Sequence, residues 1–212
     1  MSLTGRSARL TAVLLLVLAY SALANYTLLS KQNPALGALV AMSPIMVTFI
    51  LLALRSKRRV LMLGLIILIS PLFWLVWSQI KAHYDVVYWL VHESLQFVLL
   101  VTFARTLTPD QQPLCAQFAQ IVHSTLSPEL TDYTRKVTIA WSLFFACVMV
   151  MSTFLFFTYP IRVWSIFANF FYLPLVALMF IVEYWVRKRT LPAKDLSNMM
   201  EAVHAFTSRP RN

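Results

Sequence analysis

The sequence predicts an all-α membrane protein, a compact bundle of six transmembrane helices with both termini in the cytoplasm. Three observations predict it. Apolar residues fill 59% of the 212 positions and charged residues only 12%, a balance foreign to a soluble domain of this size. The apolar residues fall into six long runs, each near the ~20 residues (range ~17–25) that a helix needs to cross ~30 Å of hydrocarbon. Finally, 15 of the 18 Lys and Arg residues lie on one side of the resulting ladder, and positive charge is retained in the cytoplasm during insertion.

The first run, Leu10–Leu29, follows Arg6 and Arg9. Ala22-Leu23-Ala24 resembles a signal-peptide cleavage site, but apolar character continues past it to Leu29, so the run reads as an uncleaved anchor. A short outer link, Ser30–Pro34, leads to the second run, Ala35–Leu54, and the almost purely charged turn Arg55–Arg59 to the third, Val60–Ile80. The link Lys81–Asp85 precedes the fourth run, Val86–Phe103. The fifth and sixth, Val137–Phe157 and Phe167–Val186, are joined by Thr158–Ile166. Links this short make consecutive helices antiparallel neighbours. The chain is therefore one polytopic domain over 1–212, closing in a cytoplasmic tail at 187–212. Only Lys31, Lys81 and Arg162 remain for the outer side.

Two cytoplasmic segments carry further pattern. Within Ala104–Lys136, the residues Leu114, Phe118, Ile121, Val122 and Leu126 recur at helical spacing, which predicts a short amphipathic helix docked on the protein or lying in the membrane interface. Ser127-Pro128 then reads as an N-cap with proline at the first helical position, feeding the fifth span. Leu196, Met199, Met200, Val203 and Phe206 make a second short stripe in the tail.

Pro44, Pro71 and Pro174 lie inside spans, where proline deletes a backbone hydrogen bond and kinks the helix. Glycine totals only three, which argues against close glycine-mediated packing, and no internal repeat of the transporter kind is present. Cys115 and Cys147 form no CxxC motif and read as free thiols. The net charge of +10 sits at helix ends, as topology demands, and does not indicate nucleic acid. It does suit anionic lipid or an acidic protein partner.

Ionisable residues inside a membrane are costly and therefore informative. Glu93 lies midway along the fourth span. Trp89, His92, Glu93 and Gln96 share a helical face with Tyr88 a turn above His92. That face must point inward, either as a buried hydrogen-bond cluster that fixes packing or as a site for a polar head group, a proton or acid–base work. His92 and Glu93 are thus the candidate catalytic residues. Glu183 stands near the cytoplasmic end of the sixth span, in reach of Arg187 at i+4 or of Arg135 and Lys136 across helices. Asn169 either lines a cavity with Tyr172 or makes a helix–helix hydrogen bond. Trp74, Trp77, Trp89 and Trp164 crowd the outer half with several Tyr and Phe, as an interfacial aromatic belt or as a groove for a flat lipid.

Spacing sets several enzyme classes aside. Position 96 is Gln, so His92-Glu93 opens no HExxH zinc motif. The aspartates Asp85, Asp110, Asp132 and Asp195 are too scattered for a magnesium–diphosphate site. There is neither a GxSxG elbow nor a glycine-rich phosphate loop. No metal and no cofactor is implied.

From His92 onward the chain carries Phe103-Ala104-Arg105-Thr106-Leu107, Gln112-Pro113-Leu114, Tyr133-Thr134-Arg135-Lys136-Val137-Thr138, Trp164-Ser165-Ile166-Phe167-Ala168-Asn169, Glu183-Tyr184 and Arg187-Lys188-Arg189. In these stretches it resembles a family of small bacterial inner-membrane proteins encoded among the fatty-acid-synthase-like enzymes that make aryl polyene lipids. The first three spans match that family only in hydrophobic character. The resemblance implies a pathway more than a mechanism. It marks Arg105, Tyr133, Arg135, Glu183, Tyr184 and Arg187 as a polar patch where the fourth, fifth and sixth helices emerge. At the fourth span it has His92-Glu93 where family members often have another pair, which weakens a general catalytic role for Glu93.

Three functions compete. The first is an accessory, non-catalytic component of aryl polyene-type lipid synthesis, scaffolding synthases, acyltransferases or an acidic acyl carrier protein at its basic inner-membrane face. The second is a transporter or flippase for the lipid product. The third is an intramembrane acyl- or glycosyl-transferase using His92 or Glu93 as base.

Overall fold

In the computed structural model of the protein, residues 3–56, 59–122 and 126–191 are described. The regular structure among them is entirely helical. The order is α1 (Leu3–Ser30), α2 (Pro34–Arg55), α3 (Arg59–Ala82), α4 (Tyr84–Ala104), a 3-10 turn at Arg105–Leu107, α5 (Leu114–Val122), α6 (Pro128–Thr158), α7 (Ile161–Ile166), a π turn at Phe167–Phe171 and α8 (Tyr172–Thr190). Five segments are long and apolar enough to cross a membrane: Thr11–Ser30, Pro34–Arg55, Tyr84–Leu107, Pro128–Thr158 and Ile161–Thr190. The third predicted run falls within the 24 residues of α3. Large apolar side chains such as Leu16, Ile50, Trp74 (81% exposed) and Phe157 face outward. That surface suits a hydrocarbon solvent and no aqueous one. The tail stripe at Leu196, Met199, Met200, Val203 and Phe206 lies outside the described residues.

The helix ends follow local chemistry. The Asn33 side chain accepts from Leu36 N at 3.1 Å, and Pro34 opens α2 behind it, where its missing N–H is no loss. Ser127 Oγ accepts from Leu130 N at 3.1 Å, so the predicted cap at Ser127-Pro128 is present and α6 runs on for 31 residues. At ~1.5 Å per residue that is roughly 46 Å, so the first turns, with Asp132, Arg135 and Lys136, extend beyond an apolar core of ~30 Å.

Prolines are accommodated in two ways. In α2, Pro44 has no N–H to offer the Val40 carbonyl four residues earlier, and the Ser43 hydroxyl donates to that oxygen at 2.8 Å instead, a side-chain repair typical of apolar surroundings. In the last span, Pro174 would likewise free the Phe170 carbonyl. The backbone widens into the π turn just ahead of it, one of the recognised causes of a bent helix. The final span begins at Ile161, earlier than the expected Phe167, and the link before it shrinks to Tyr159 and Pro160. Pro160 sets the extended backbone from which α7 starts.

Two compact units emerge, residues 1–94 with 152–172 and residues 95–151 with 173–212. In the first, α1 packs on α2 and α7, and α2 on α3. Its core is Ala24, Leu28, Ala38, Val40, Ala41, Tyr84, Tyr88 and Trp164. The scarcity of glycine pointed away from glycine-mediated contacts, yet Gly37 makes one. A Cβ there would sit 2.7 Å from the Tyr84 ring, and that ring is held by its hydroxyl donating to the Thr27 carbonyl at 3.1 Å. In the second unit, Phe103, Trp141, Phe144, Phe145 and Phe180 form an aromatic cluster with centroids 4.8–6.2 Å apart. A smaller core of Leu130, Tyr133 and Leu191 completes it.

Candidate functional site

Among the described residues the first unit holds a buried carboxylate, Glu93, and the second a largely covered one, Glu183, and the sequence-predicted residues divide between them. In the second unit Glu183, on α8, is the hub. Its Oε1 accepts from the Tyr133 hydroxyl of α6 at 3.1 Å, and that hydroxyl is also 3.1 Å from the Glu183 carbonyl. Its Oε2 accepts from Arg187 NH2 at 3.0 Å, with the two side chains only 12% and 25% exposed. Both carboxylate oxygens are therefore occupied, by a phenol and a guanidinium. Of the cations in reach by sequence, Arg187 at i+4 is the one used, as helix geometry favours. Arg135 instead donates to the Leu107 carbonyl at 3.1 Å, and Lys136 pairs with Asp132 at 2.7 Å on the exposed side. Arg105 and Tyr184 are exposed, and Tyr184 lies under Lys188 at 5.7 Å. The six-residue patch thus separates into a locked trio, Tyr133, Glu183 and Arg187, and a solvated rim.

The short helix α5 docks beside this trio. Its first amides are capped from outside: Leu114 N donates to Thr106 Oγ1 at 2.9 Å and Cys115 N to Thr138 Oγ1 at 3.2 Å. Both threonines in turn donate to carbonyls of their own helical segments, Phe103 and Thr134. The docked side is Ala116, fully buried, whereas Phe118 and Ile121 of the predicted stripe stay exposed. Burial raises the Cys115 thiol above its usual pKa, with the neighbouring Thr138 hydroxyl opposing the rise. Below this level a cleft of about 250 Å³ is lined by Val137, Ala140, Met179, Val182 and Val186, with Tyr133, Lys136 and Glu183 on its polar side.

In the first unit the face predicted on α4 does turn inward. Tyr88 and Glu93 are buried, and Trp89 and His92 half-buried. The Tyr88 hydroxyl lies 2.9 Å from Thr27 Oγ1. Trp89 stacks on Phe156 at 5.3 Å and meets Phe157 edge-on at 5.3 Å. The His92 ring stands edge-on to Trp164 at 6.2 Å and to Tyr172 at 5.5 Å. Trp164 Nε1 donates to Ser152 Oγ at 3.1 Å, and the Ser152 hydroxyl is the partner of the Glu93 carboxyl. One end of Glu93 is therefore fixed by a Trp–Ser relay. Oε1, together with His92 Nε2 and Trp89 Nε1, is buried without a partner among the described residues. No described Lys or Arg forms an ion pair with Glu93. Gln96, predicted for the same face, belongs to the second unit and is fully buried there.

Asn169 makes helix contacts. Its Nδ2 donates to the Ser165 carbonyl at 2.9 Å and to Ser165 Oγ at 3.2 Å, and Ser165 donates on to Asn25 of α1 at 2.9 Å. Of the tryptophans assigned to a belt, Trp74 is outward, whereas Trp164 is 1% exposed and belongs to the interior. Ser152 escaped the sequence reading, and Thr106 and Thr138 entered it only as members of the resembling stretches, because a lone hydroxyl residue in an apolar run carries no signal of its role until its partner from another segment is known. Among the described residues no three His, Cys, Asp or Glu side chains gather as metal ligands. Compared with protein-family models, curated proteins and solved structures, the chain matches none.

Proposed function

We propose that the protein is an accessory, non-catalytic component of lipid synthesis in the bacterial inner membrane, of the aryl polyene type suggested by its family resemblance. In this reading six helices span the bilayer, both termini are cytoplasmic, and the basic face receives an acidic acyl carrier protein or a pathway enzyme. The observation that carries it is the set of exposed cations in the second unit that no described carboxylate pairs: Arg105, Arg135, Lys188 and Arg189. Beside them on the chain, α5 leaves Phe118 and Ile121 exposed. A basic rim with exposed apolar side chains suits an acidic, amphipathic partner, with charge setting the encounter rate and the apolar residues the lifetime. Arg187 drops out of the docking set, because Glu183 already neutralises it.

Purified full-length protein in lipid nanodiscs, titrated with acyl carrier protein, tests this. Reversing Arg105, Lys188 and Arg189 to Glu should weaken binding by about tenfold or more and reduce its salt dependence. Unchanged binding would overturn the docking reading. A second reading, handling of a lipid within the membrane, is favoured by one observation: Glu93 is buried in a spanning helix with an oxygen left unpaired.

A further inference from the structure

The unpaired atoms of the first unit form a chemically specific set. Trp89, His92 and Glu93 leave one face of α4 at spacings of three and four residues, so the side chains are neighbours on the helix, and Phe156 and Trp164 join the Trp89 and His92 rings across it. Indole N–H can only donate, a carboxylate oxygen accepts, and a neutral imidazole nitrogen does either. A ligand that satisfies Trp89 Nε1 and Glu93 Oε1 together must accept and donate at once. A hydroxyl group does so. An ammonium would serve Glu93 but turn its own positive charge to the indole N–H, and a phosphate or carboxylate would bring a negative charge to a buried acid with no described cation beside it.

The surroundings add shape to this chemistry. Phe156 and Phe157 pack on Trp89, while Trp164 and Tyr172 pack on His92, so the walls are aromatic and the polar atoms few, as in small-molecule sites generally. Ser152 holds Glu93 from behind and is itself held by Trp164, so the free oxygen has a set position. Trp89 and His92 are half-buried, whereas the three polar atoms themselves are closed from the surface, so a hydroxyl reaches them only as the half-exposed Trp89 and His92 rings give way. Tyr172, against His92, closes the π turn Phe167–Phe171, its N–H donating to the Phe167 carbonyl. Widened turns of this kind recur at functional positions in helices.

We propose that this cluster binds the hydroxyl of a membrane-dissolved amphiphile, the oxygen accepting from Trp89 Nε1 and the proton directed to Glu93 Oε1, with the apolar chain lying among the outward-facing hydrocarbon side chains. The site is independent of the basic docking rim, and neither stands or falls with the other.

The test uses full-length protein in nanodiscs titrated with dodecanol, dodecyl methyl ether and dodecylamine, followed by native mass spectrometry and tryptophan fluorescence. Dodecanol should bind saturably and about tenfold more tightly than the ether, which accepts but cannot donate. Trp89→Phe keeps the ring on Phe156 while removing the N–H. It should weaken dodecanol by about tenfold and the ether as well, since both oxygens accept from the indole N–H, whereas Glu93→Leu should weaken dodecanol and leave the ether, which donates nothing to that oxygen, unchanged. Equal affinity for alcohol and ether, or preference for the amine, would overturn the proposal. So would the absence of saturable binding by any of the three, which would assign the polar atoms to ordered water alone.

Discussion

Glu93 and Glu183 are the two carboxylates of this chain set well inside its apolar helices, and their neighbours treat them in opposite ways. Glu183 lies one turn from Arg187 and across from Tyr133, and both of its oxygens are spoken for. Its cost of burial is offset by a matched cation and a neutral donor, so it joins α6 to α8 as a structural tie. Among the described residues Glu93 has one serine behind it, no paired cation and one oxygen without a partner. A packing role would be served better by a leucine, since an unsatisfied buried polar group costs roughly 1–3 kcal/mol. Position in a membrane helix therefore does not by itself distinguish a structural acid from a functional one. The number of oxygens with described partners is what sets these two acids apart.

That contrast can be broken most forcefully at Arg187. Arg187→Leu strands the Glu183 carboxylate among half-buried neighbours and should destabilise the protein by about 3 kcal/mol, in line with other broken buried pairs. Adding Glu183→Leu should recover most of the loss in thermal unfolding of detergent-solubilised protein. If the single substitution costs no more than the double, the pair is not a tie. At Glu93 the expectation reverses. Glu93→Leu removes an unsatisfied group and should change stability by less than about 1 kcal/mol, or raise it, as residues kept for function often allow. A loss as large as that at Arg187 would make Glu93 structural as well.

The smallest effect concerns Cys115, outside the spanning helices and beside the locked trio. Burial holds its thiol pKa up, and Arg187 pulls it down. Only the thiolate reacts with maleimide, so a raised pKa means less reaction at a given pH. Labelling of Cys115 at pH 7 should be slow and should climb steadily as pH rises past the ordinary thiol range. Rates that level off near pH 8 would place the thiol in an unshifted environment and loosen the picture of α5 docked on Thr106 and Thr138.

Much of the architecture was legible because membrane helices obey one-dimensional rules. Twenty apolar residues must satisfy their own backbone, and this makes helices of them whatever their neighbours. Hence the agreement of α1, α2 and α4 with the runs beginning at Leu10, Ala35 and Val86. Capping is equally local, and Ser127-Pro128 behaved as its pattern required. The last span was less legible, since the length of its entry depended on Pro160 and on how the backbone relieved Pro174. The site was half legible: helical spacing put Trp89, His92 and Glu93 on one face and paired Glu183 with Arg187.

By itself, then, the sequence determined an all-helical chain, the positions of its apolar runs and the inward turn of the α4 face, because hydrophobicity and helical period act along the chain. Tertiary structure decided which polar atoms meet. Thr106 and Thr138 cap α5 from elsewhere, Tyr133 rather than Arg135 reaches Glu183, and Ser152 with Trp164 reaches Glu93. The physical reason is that a hydrogen bond depends on ångström-scale approach between segments far apart in sequence. Neither composition nor spacing records that distance.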